Sequence, residues 1–411
     1  MLAAAKSPRF ATLMFGALFI YLVAALFHLP TLFFMASGLM AAPVASYFLA
    51  AAGLSRVRAE RRLPPRLWPD ERVEIELRIV NQAPLPKCLL LIDEHLPPGL
   101  EPDPAEPPNC VVPMLWGEPF VHRYPITARW RGRQRLAPVT ATAVDAFDLL
   151  QARSVVGPAD EVLVYPRTVD LSADVLTGAE ENTSALPRHT AEGIDFRGTR
   201  EYRPGDDLRR IHWRSTARHG KPVVVEYEEP TAADLFLVLD ACAAHVWGDG
   251  PDNSFETGVT TVASLVRHEL NRAAAVGAYL GSEAPVLLPM TDDRHRLRAF
   301  YEALALVEAD ARRSFGRVLE AAAEVAPRHT RVVVVTPGAA PGGDARETLA
   351  GLEALTRRQR NLTCAWLDPR GYPGAAPAGA ALGFPAAAKG LGLTVYRIAR
   401  GEVARGLLRA V

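Results

Sequence analysis

The chain has 411 residues, with 46 Lys+Arg against 46 Asp+Glu. Such a length allows two or three domains, and the even balance argues against a chain that grips nucleic acid or anionic lipid through bulk charge. The four cysteines, Cys88, Cys110, Cys242 and Cys364, lie far apart and form no CxxC pair. This spacing argues against a disulfide framework or a zinc site and for a reducing compartment.

Between Arg9 and Arg56 there is no Asp, Glu, Lys or Arg. A bilayer core takes about 20 apolar residues per helix. Two transmembrane helices are therefore predicted, at about residues 10–29 and 32–54, with His28-Leu29-Pro30-Thr31 as the break. A cleaved signal peptide fits poorly, because its apolar core is short and no second span follows it. A buried soluble hairpin is the alternative, and few soluble helices are apolar on every face. Lys6 and Arg9 precede the hairpin, while Arg56, Arg58, Arg61, Arg62 and Arg66 follow it. The turn carries no Lys or Arg, so the positive-inside rule predicts a multi-pass protein of the cytoplasmic (inner) membrane with its soluble domains in the cytoplasm.

From Pro69 the pattern changes. ERVEIELRIVN alternates at period two, and KCLLLIDEHLP, FVHRYPITARWRG, QRLAPVTATAVDAF and ADEVLVYPR are further strand candidates between Pro and Gly clusters. This predicts a small antiparallel β-sandwich of immunoglobulin-like type over 56–166, after the membrane hairpin at 1–55. No Cys–Trp–Cys spacing marks an antibody-type domain, and nothing in this stretch reads as catalytic.

The third domain is predicted at 167–411, where strands and helices alternate. Asp234–Asp240 and Arg331–Gly338 are nearly continuous apolar runs, as in strands covered on both faces. Phe255–Arg272 and Ala345–Arg360 read as helices, as does a stretch from about Asp293 to Val325. AAAVGAYLG, NLTCAWLD and LTVYRIAR read as strands. The order predicts a mostly parallel sheet with helices on both sides and a ligand site at the carboxyl ends of the strands, beside Asp240 and Thr336-Pro337-Gly338.

The densest run of chemistry is TREYRPGDDLRRIHWRSTARHGKPVVVEY, Thr199–Tyr227. Pro204-Gly205 reads as a turn and Asp206-Asp207 as the acidic N-terminus of a helix of about three turns. Gly220 is placed to end that helix, and KPVVVEYEE is expected to lead into the sheet. Its charges fit an internal Asp–Arg lattice or a docking surface. Nucleic-acid binding is disfavoured because acids interleave with the arginines.

Arg200, Tyr202, Gly205, Asp206, Asp207, Arg209, Ile211 and Trp213, set between a hairpin-plus-sandwich and the strand LFLVLD, resemble the domain-of-unknown-function 58 family. The resemblance covers nearly the whole chain. It implies a bacterial membrane-anchored protein with an α/β von Willebrand factor A-like (Rossmann-like) C-terminal domain. It further implies a MoxR-type AAA+ ATPase as partner and envelope-related assembly or stress-response roles. On this basis Arg200, Tyr202, Gly205, Asp206, Asp207, Arg209, Trp213, Arg214 and Arg218 are the candidate docking residues.

Von Willebrand factor A-like domains commonly hold Mg²⁺ through Asp-x-Ser-x-Ser after the first strand. This chain reads Asp240-Ala241-Cys242-Ala243-Ala244, and Thr336-Pro337-Gly338 stands where that fold usually has Thr-Asp-Gly. A thiol is a poor ligand for a hard cation. Asp240, with Thr257 as a second oxygen ligand, is therefore a degenerate metal candidate, and no cofactor is expected. Pro337–Ala345 lacks the Lys-Ser/Thr of a P-loop, and neither G-x-S-x-G nor H-E-x-x-H occurs. His212 and His219 have no third ligand nearby. Cys242 with His245 is the one nucleophile–base pairing on offer. A non-enzymatic interaction protein is the leading expectation, a Mg²⁺-dependent adhesion-type domain the second and a thiol enzyme using Cys242 the third.

Overall fold

The computed structural model describes residues 3–6, 8–83, 87–115, 117–144, 150–172, 175–176, 196–201, 213, 216–217, 220–227, 234–328, 330–340, 345–359, 361–373, 380–408 and 410. They fall into two compact units, Met1–Pro166 and Arg167–Val411.

The first unit opens with helices α1 (Pro8–Leu26) and α2 (Pro30–Leu54), which pack on each other. The predicted first span is too long by three residues at its end. His28 adopts a left-handed conformation (φ 51°), which stops α1, and Pro30 starts α2 where its missing N–H costs nothing. Large apolar side chains point away from the protein on both helices, among them Phe15 (76 % exposed) and Phe34 (75 %). Among the described residues no helix is long and apolar enough to cross a membrane.

A short strand, Ala3–Lys6, precedes the hairpin and pairs antiparallel with Leu150–Val155. Lys6 is thus a strand residue, which the sequence reading missed. The rest of the first unit contains a five-stranded sheet, in the order Ala3–Lys6, Leu150–Val155, Thr140–Val144, Lys87–Asp93, Cys110–Leu115. A four-stranded sheet runs Val57–Arg62, Arg72–Asn81, Phe120–Ala128, Leu100–Pro102, and a three-stranded one Arg66–Leu67, Asp160–Val164, Gly132–Leu136. Period-two patterning does its expected work here: Ile75, Leu77 and Ile79 alternate with charged neighbours and are fully buried. Arg61, counted above as a flanking charge, is buried inside this unit. Its guanidinium donates to Glu94 at 2.5 Å, to Asp160 at 2.6 Å and to the Ala137 carbonyl at 2.9 Å.

In the second unit, Phe196–Glu201 pairs antiparallel with Val223–Tyr227 as a separate two-stranded ribbon. The expected strand after Gly220 therefore forms, but it joins this ribbon instead of the main sheet. The main sheet has six strands: β1 (Leu235–Leu239), β2 (Val276–Leu280), β3 (Val286–Thr291), β4 (Arg331–Thr336), β5 (Leu362–Leu367) and β6 (Thr394–Ile398). Their order is β3-β2-β1-β4-β5-β6, parallel except for the edge strand β3. β3 was not expected; Pro289 within it is tolerated at a sheet edge.

Helices cover both faces. α3 (Ser254–Asn271) packs on one face, where Gly258 abuts Leu239, Val335 and Leu367. α4 (Leu297–Leu306) packs beside α3. The other face is formed by Phe236, Val238, Val332, Val334, Cys364 and Trp366, which share a core with α5 (Phe315–Val325), α6 (Arg346–Arg358) and α7 (Ala380–Gly390). The single helix expected over 293–325 is broken, because the backbone of Ala311 pairs instead with Ala241 and Ala243 just beyond β1. From β1 the chain winds outward to one side, and from β4 to the other. The crevice beyond the carboxyl ends of β1 and β4 is the place where such sheets hold ligands.

Candidate functional site

Asp240 stands at that position, immediately after β1. Its backbone N–H donates to the Val335 carbonyl at 3.0 Å, which ties the end of β1 to β4. The side chain is wholly buried. Oδ1 accepts from the Cys242 backbone N–H at 3.0 Å. Oδ2 accepts from His245 Nδ1 at 2.7 Å and from the Thr336 hydroxyl at 2.6 Å. The Thr336 oxygen in turn accepts from the Gly338 N–H at 2.9 Å. Burial opposes the charge on His245, but the adjacent Asp240 carboxylate outweighs it and holds the imidazole above its ordinary range. The His245 ring meets Phe315 edge-on at 6.2 Å.

Around this pair two indoles hold the next loop. Trp247 Nε1 donates to the Ala339 carbonyl at 2.9 Å, and Trp366 Nε1 to the Pro337 carbonyl at 3.1 Å. The 336–339 loop is therefore clamped from two sides. Gly338 has φ 87°, and a Cβ there would sit 2.4 Å from the Phe384 ring. Gly338→Ala should therefore destabilise the second unit by about 2 kcal/mol or more, from backbone strain and overpacking together. Urea unfolding of the full chain would read this as a lower midpoint with an unchanged slope.

The donor set does not fit a hard divalent cation. Both oxygens of Asp240 are already engaged by its own chain, Cys242 offers sulfur, and Pro337 offers no carboxylate. Thr257 accepts from the Tyr372 hydroxyl at 2.6 Å and donates to the Asn253 carbonyl at 3.4 Å, so its oxygen is committed elsewhere. Among the described residues no group of three or more His, Cys, Asp and Glu side chains is placed to hold a metal ion.

Nor does the geometry join Cys242 to a base. Its thiol donates to the Arg313 carbonyl at 3.6 Å, while the Nδ1 of His245 faces Asp240. Burial and the Asp240 charge raise the thiol above its usual range, which opposes a reactive thiolate. The sequence pairing of Cys242 with His245 is thus replaced by a pairing of His245 with Asp240.

Most of the docking candidates, Tyr202, Gly205, Asp206, Asp207, Arg209, Arg214 and Arg218, lie outside the described residues, as do His212 and His219. Arg200 lies in the ribbon, opposite Val224. Trp213 is helical and 70 % exposed. Gly220 has φ 69° and its N–H bonds the Thr216 carbonyl at 2.9 Å, the expected way to end that helix.

A second polar cluster was missed. Asp368, at the carboxyl end of β5, is fully buried and bridges two arginines. Arg370 Nε lies 3.0 Å from Oδ1, Arg370 Nη2 lies 2.9 Å from Oδ2, and Arg397 Nε lies 2.5 Å from Oδ2. Burial works against the charge on Asp368, but its hydrogen bonds from Arg370 and Arg397 prevail and hold it below the usual carboxylate range. The available signal was the Leu-Asp ending of NLTCAWLD, an acid at the same end of the sheet as Asp240.

Residues 198–370 match the family model described as "Protein of unknown function DUF58". The chain is 24 % identical over 270 residues to "Uncharacterized protein YeaD" of Bacillus subtilis (strain 168). That match covers 64 % of this chain and 65 % of the relative, so the chain spans just under two thirds of the relative's length. Among solved structures, Salmonella alpha-2-macroglobulin reacted with methylamine is 20 % identical over 28 % of this chain and 7 % of its own, with TM-score 0.22. The CARDB domain of the PF1109 protein from Pyrococcus furiosus is 15 % identical over 26 % of this chain and 91 % of its own, with TM-score 0.18. Scores this low support no inference about function.

Proposed function

We propose, for a chain that belongs to the DUF58 family through residues 198–370, a non-enzymatic role as a membrane-anchored interaction protein. Its second unit would act as a von Willebrand factor A-like docking domain that works without metal. The observation that carries this is the closure of Asp240: Cys242, His245 and Thr336 occupy both of its oxygens from within the chain. A crevice with a sealed carboxylate and a thiol turned away favours recognition over chemistry.

Anchoring rests on the charge-free sequence between Arg9 and Arg56 and on the outward-facing Phe15, Phe19 and Phe34, which water would solvate at a cost. Both ends of the hairpin return to the same sandwich, through Ala3–Lys6 and through Val57–Arg62, which suits a hairpin that enters and leaves on one side. The cytoplasm is the side favoured by the remaining flanking arginines, Arg56, Arg58, Arg62 and Arg66.

The docking surface proposed is the segment at Trp213, which is 70 % exposed, since Trp is among the residues that most often carry interface energy. A MoxR-type AAA+ ATPase, in envelope-related assembly or stress response, is the partner implied by the family resemblance. Capture of the tagged full chain from detergent-solubilised membranes tests this. An AAA+ ATPase should be recovered, and Trp213→Ala should reduce the yield at least about tenfold, the effect of a modest hot spot. Recovery of no AAA+ ATPase with the motif intact would count against the partner, and a chain found wholly in the soluble fraction would overturn the anchoring.

A further inference from the structure

The cluster around Asp368 borders a cavity of about 350 Å³, lined by Trp366, Arg370, Leu382, Pro385, Lys389 and Arg397, with Ala386 beside them. The fold makes this place. Trp366 on β5 and Arg397 on β6 are register partners, so they share one sheet face, and α7 crosses that face with Leu382, Pro385 and Lys389. Its volume lies at the lower end of the range that small-molecule sites occupy.

The charges at this rim do not balance. Three cations, Arg370, Arg397 and Lys389, stand beside one carboxylate, Asp368. That carboxylate is fully buried and spends both oxygens on the arginines, so it holds the guanidinium forks in place and leaves nothing to attract a cation. Arg397 uses only its Nε on Asp368, and Arg370 uses Nε and Nη2. Among the described residues the donors left over, Arg370 Nη1 and both terminal nitrogens of Arg397, belong to groups about half exposed at the cavity. Two guanidiniums fixed by a shared carboxylate are a preorganised receptor for an oxyanion. The rest of the lining, Trp366, Leu382, Pro385 and Ala386, is apolar.

We propose that this cavity binds a small ligand that carries one oxyanion, a carboxylate or a phosphate monoester, on an apolar body. The oxyanion sits against Arg370, Arg397 and Lys389, and the body lies against Trp366 and Leu382. The lining does not include Asp240, and the proposal does not rest on the docking role proposed above.

The test is calorimetric titration of the full chain, in a neutral detergent, with phenyl phosphate and with benzoate, and with inorganic phosphate as the comparison lacking an apolar body. Saturable one-to-one binding is expected for at least one aromatic probe, about tenfold or more tighter than inorganic phosphate, which is the effect of one modest apolar contact. Phenyl phosphate alone identifies a phosphate monoester, benzoate alone a carboxylate, and binding of both the shared oxyanion chemistry. Lys389→Gln and Arg397→Gln should each weaken the aromatic probe about tenfold. Lys389 makes no ion pair among the described residues, so its variant keeps the fold even if loss of Arg397 perturbs Asp368. No saturable binding of either aromatic probe, or binding unchanged in Lys389→Gln and in a folded Arg397→Gln, overturns the proposal. Inorganic phosphate binding as tightly as phenyl phosphate also overturns it.

Discussion

Replacing Arg61 by alanine should cost the first unit about 3–5 kcal/mol, the usual penalty for stripping the partner from a buried charge. The side chains of Arg61 and Glu94 are both wholly buried, and they meet at 2.5 Å. Without Arg61, Glu94 must stay ionised without its partner or take up a proton, and Asp160 loses its contact as well. Burial already raises Glu94 above its ordinary range against the opposing attraction of Arg61. The sign of the pH effect follows. A carboxyl whose folded value is raised binds protons more readily in the fold, so the fold gains stability as pH falls through that raised value. Loss of Arg61 raises the value further. The gap between wild type and Arg61→Ala should therefore be largest near neutral pH and shrink in acid, where Glu94 is protonated in both. Urea unfolding at several pH values measures it. The double replacement Arg61→Met with Glu94→Leu should recover most of the loss, because an apolar pair of similar volume leaves no charge to bury. A gap that does not change with pH would sink this account of Glu94.

Arg61 also marks where sequence reading stopped short. As a charge beside a hydrophobic hairpin it counted toward membrane orientation. Nothing local distinguishes it from Arg58 or Arg62, because its partners lie 33 and 99 residues away. The strands that were legible, such as Arg72–Asn81, alternate apolar with polar residues, whereas Val57–Arg62 alternates in burial too but gives its third buried position to Arg61 and so did not read as a strand. Those missed were short, or took their place from a distant partner: Ala3–Lys6 exists through Leu150–Val155, and Leu100–Pro102 through Phe120–Ala128. The buried runs of β1 and β4 were plain, and so was the position of Asp240 beyond β1. Its partner was not. His245 is near enough in sequence to pair with either Cys242 or Asp240, and only the 3-10 turn at Ala243–His245 decides for the aspartate. The Asp368 cluster was hidden for a similar reason, since Arg397 reaches it from a neighbouring strand 29 residues on.

Asp240→Ala should destabilise the second unit by about 3 kcal/mol, since it leaves the Cys242 N–H, the Thr336 hydroxyl and the His245 ring without their acceptor. Part of that cost depends on pH. Burial lowers the affinity of His245 for its proton, but Asp240 more than compensates, so the folded value is raised above 6.5. A raised histidine stabilises the fold fully below its unfolded value and loses that contribution as pH rises through the folded one. Wild-type stability should accordingly fall on the alkaline side of about pH 6.5. Asp240→Asn and His245→Gln should both flatten that decline, because neither retains the ion pair. The same experiment separates an internal pair from a cation site. A metal that binds only the folded chain must raise the unfolding midpoint by mass action. With His245 and Thr336 already on Oδ2, added Mg²⁺ should leave the wild-type midpoint where it is. A Mg²⁺-dependent rise in wild type that disappears in Asp240→Ala would mean that the cation displaces His245, and Asp240 would then be a metal ligand after all.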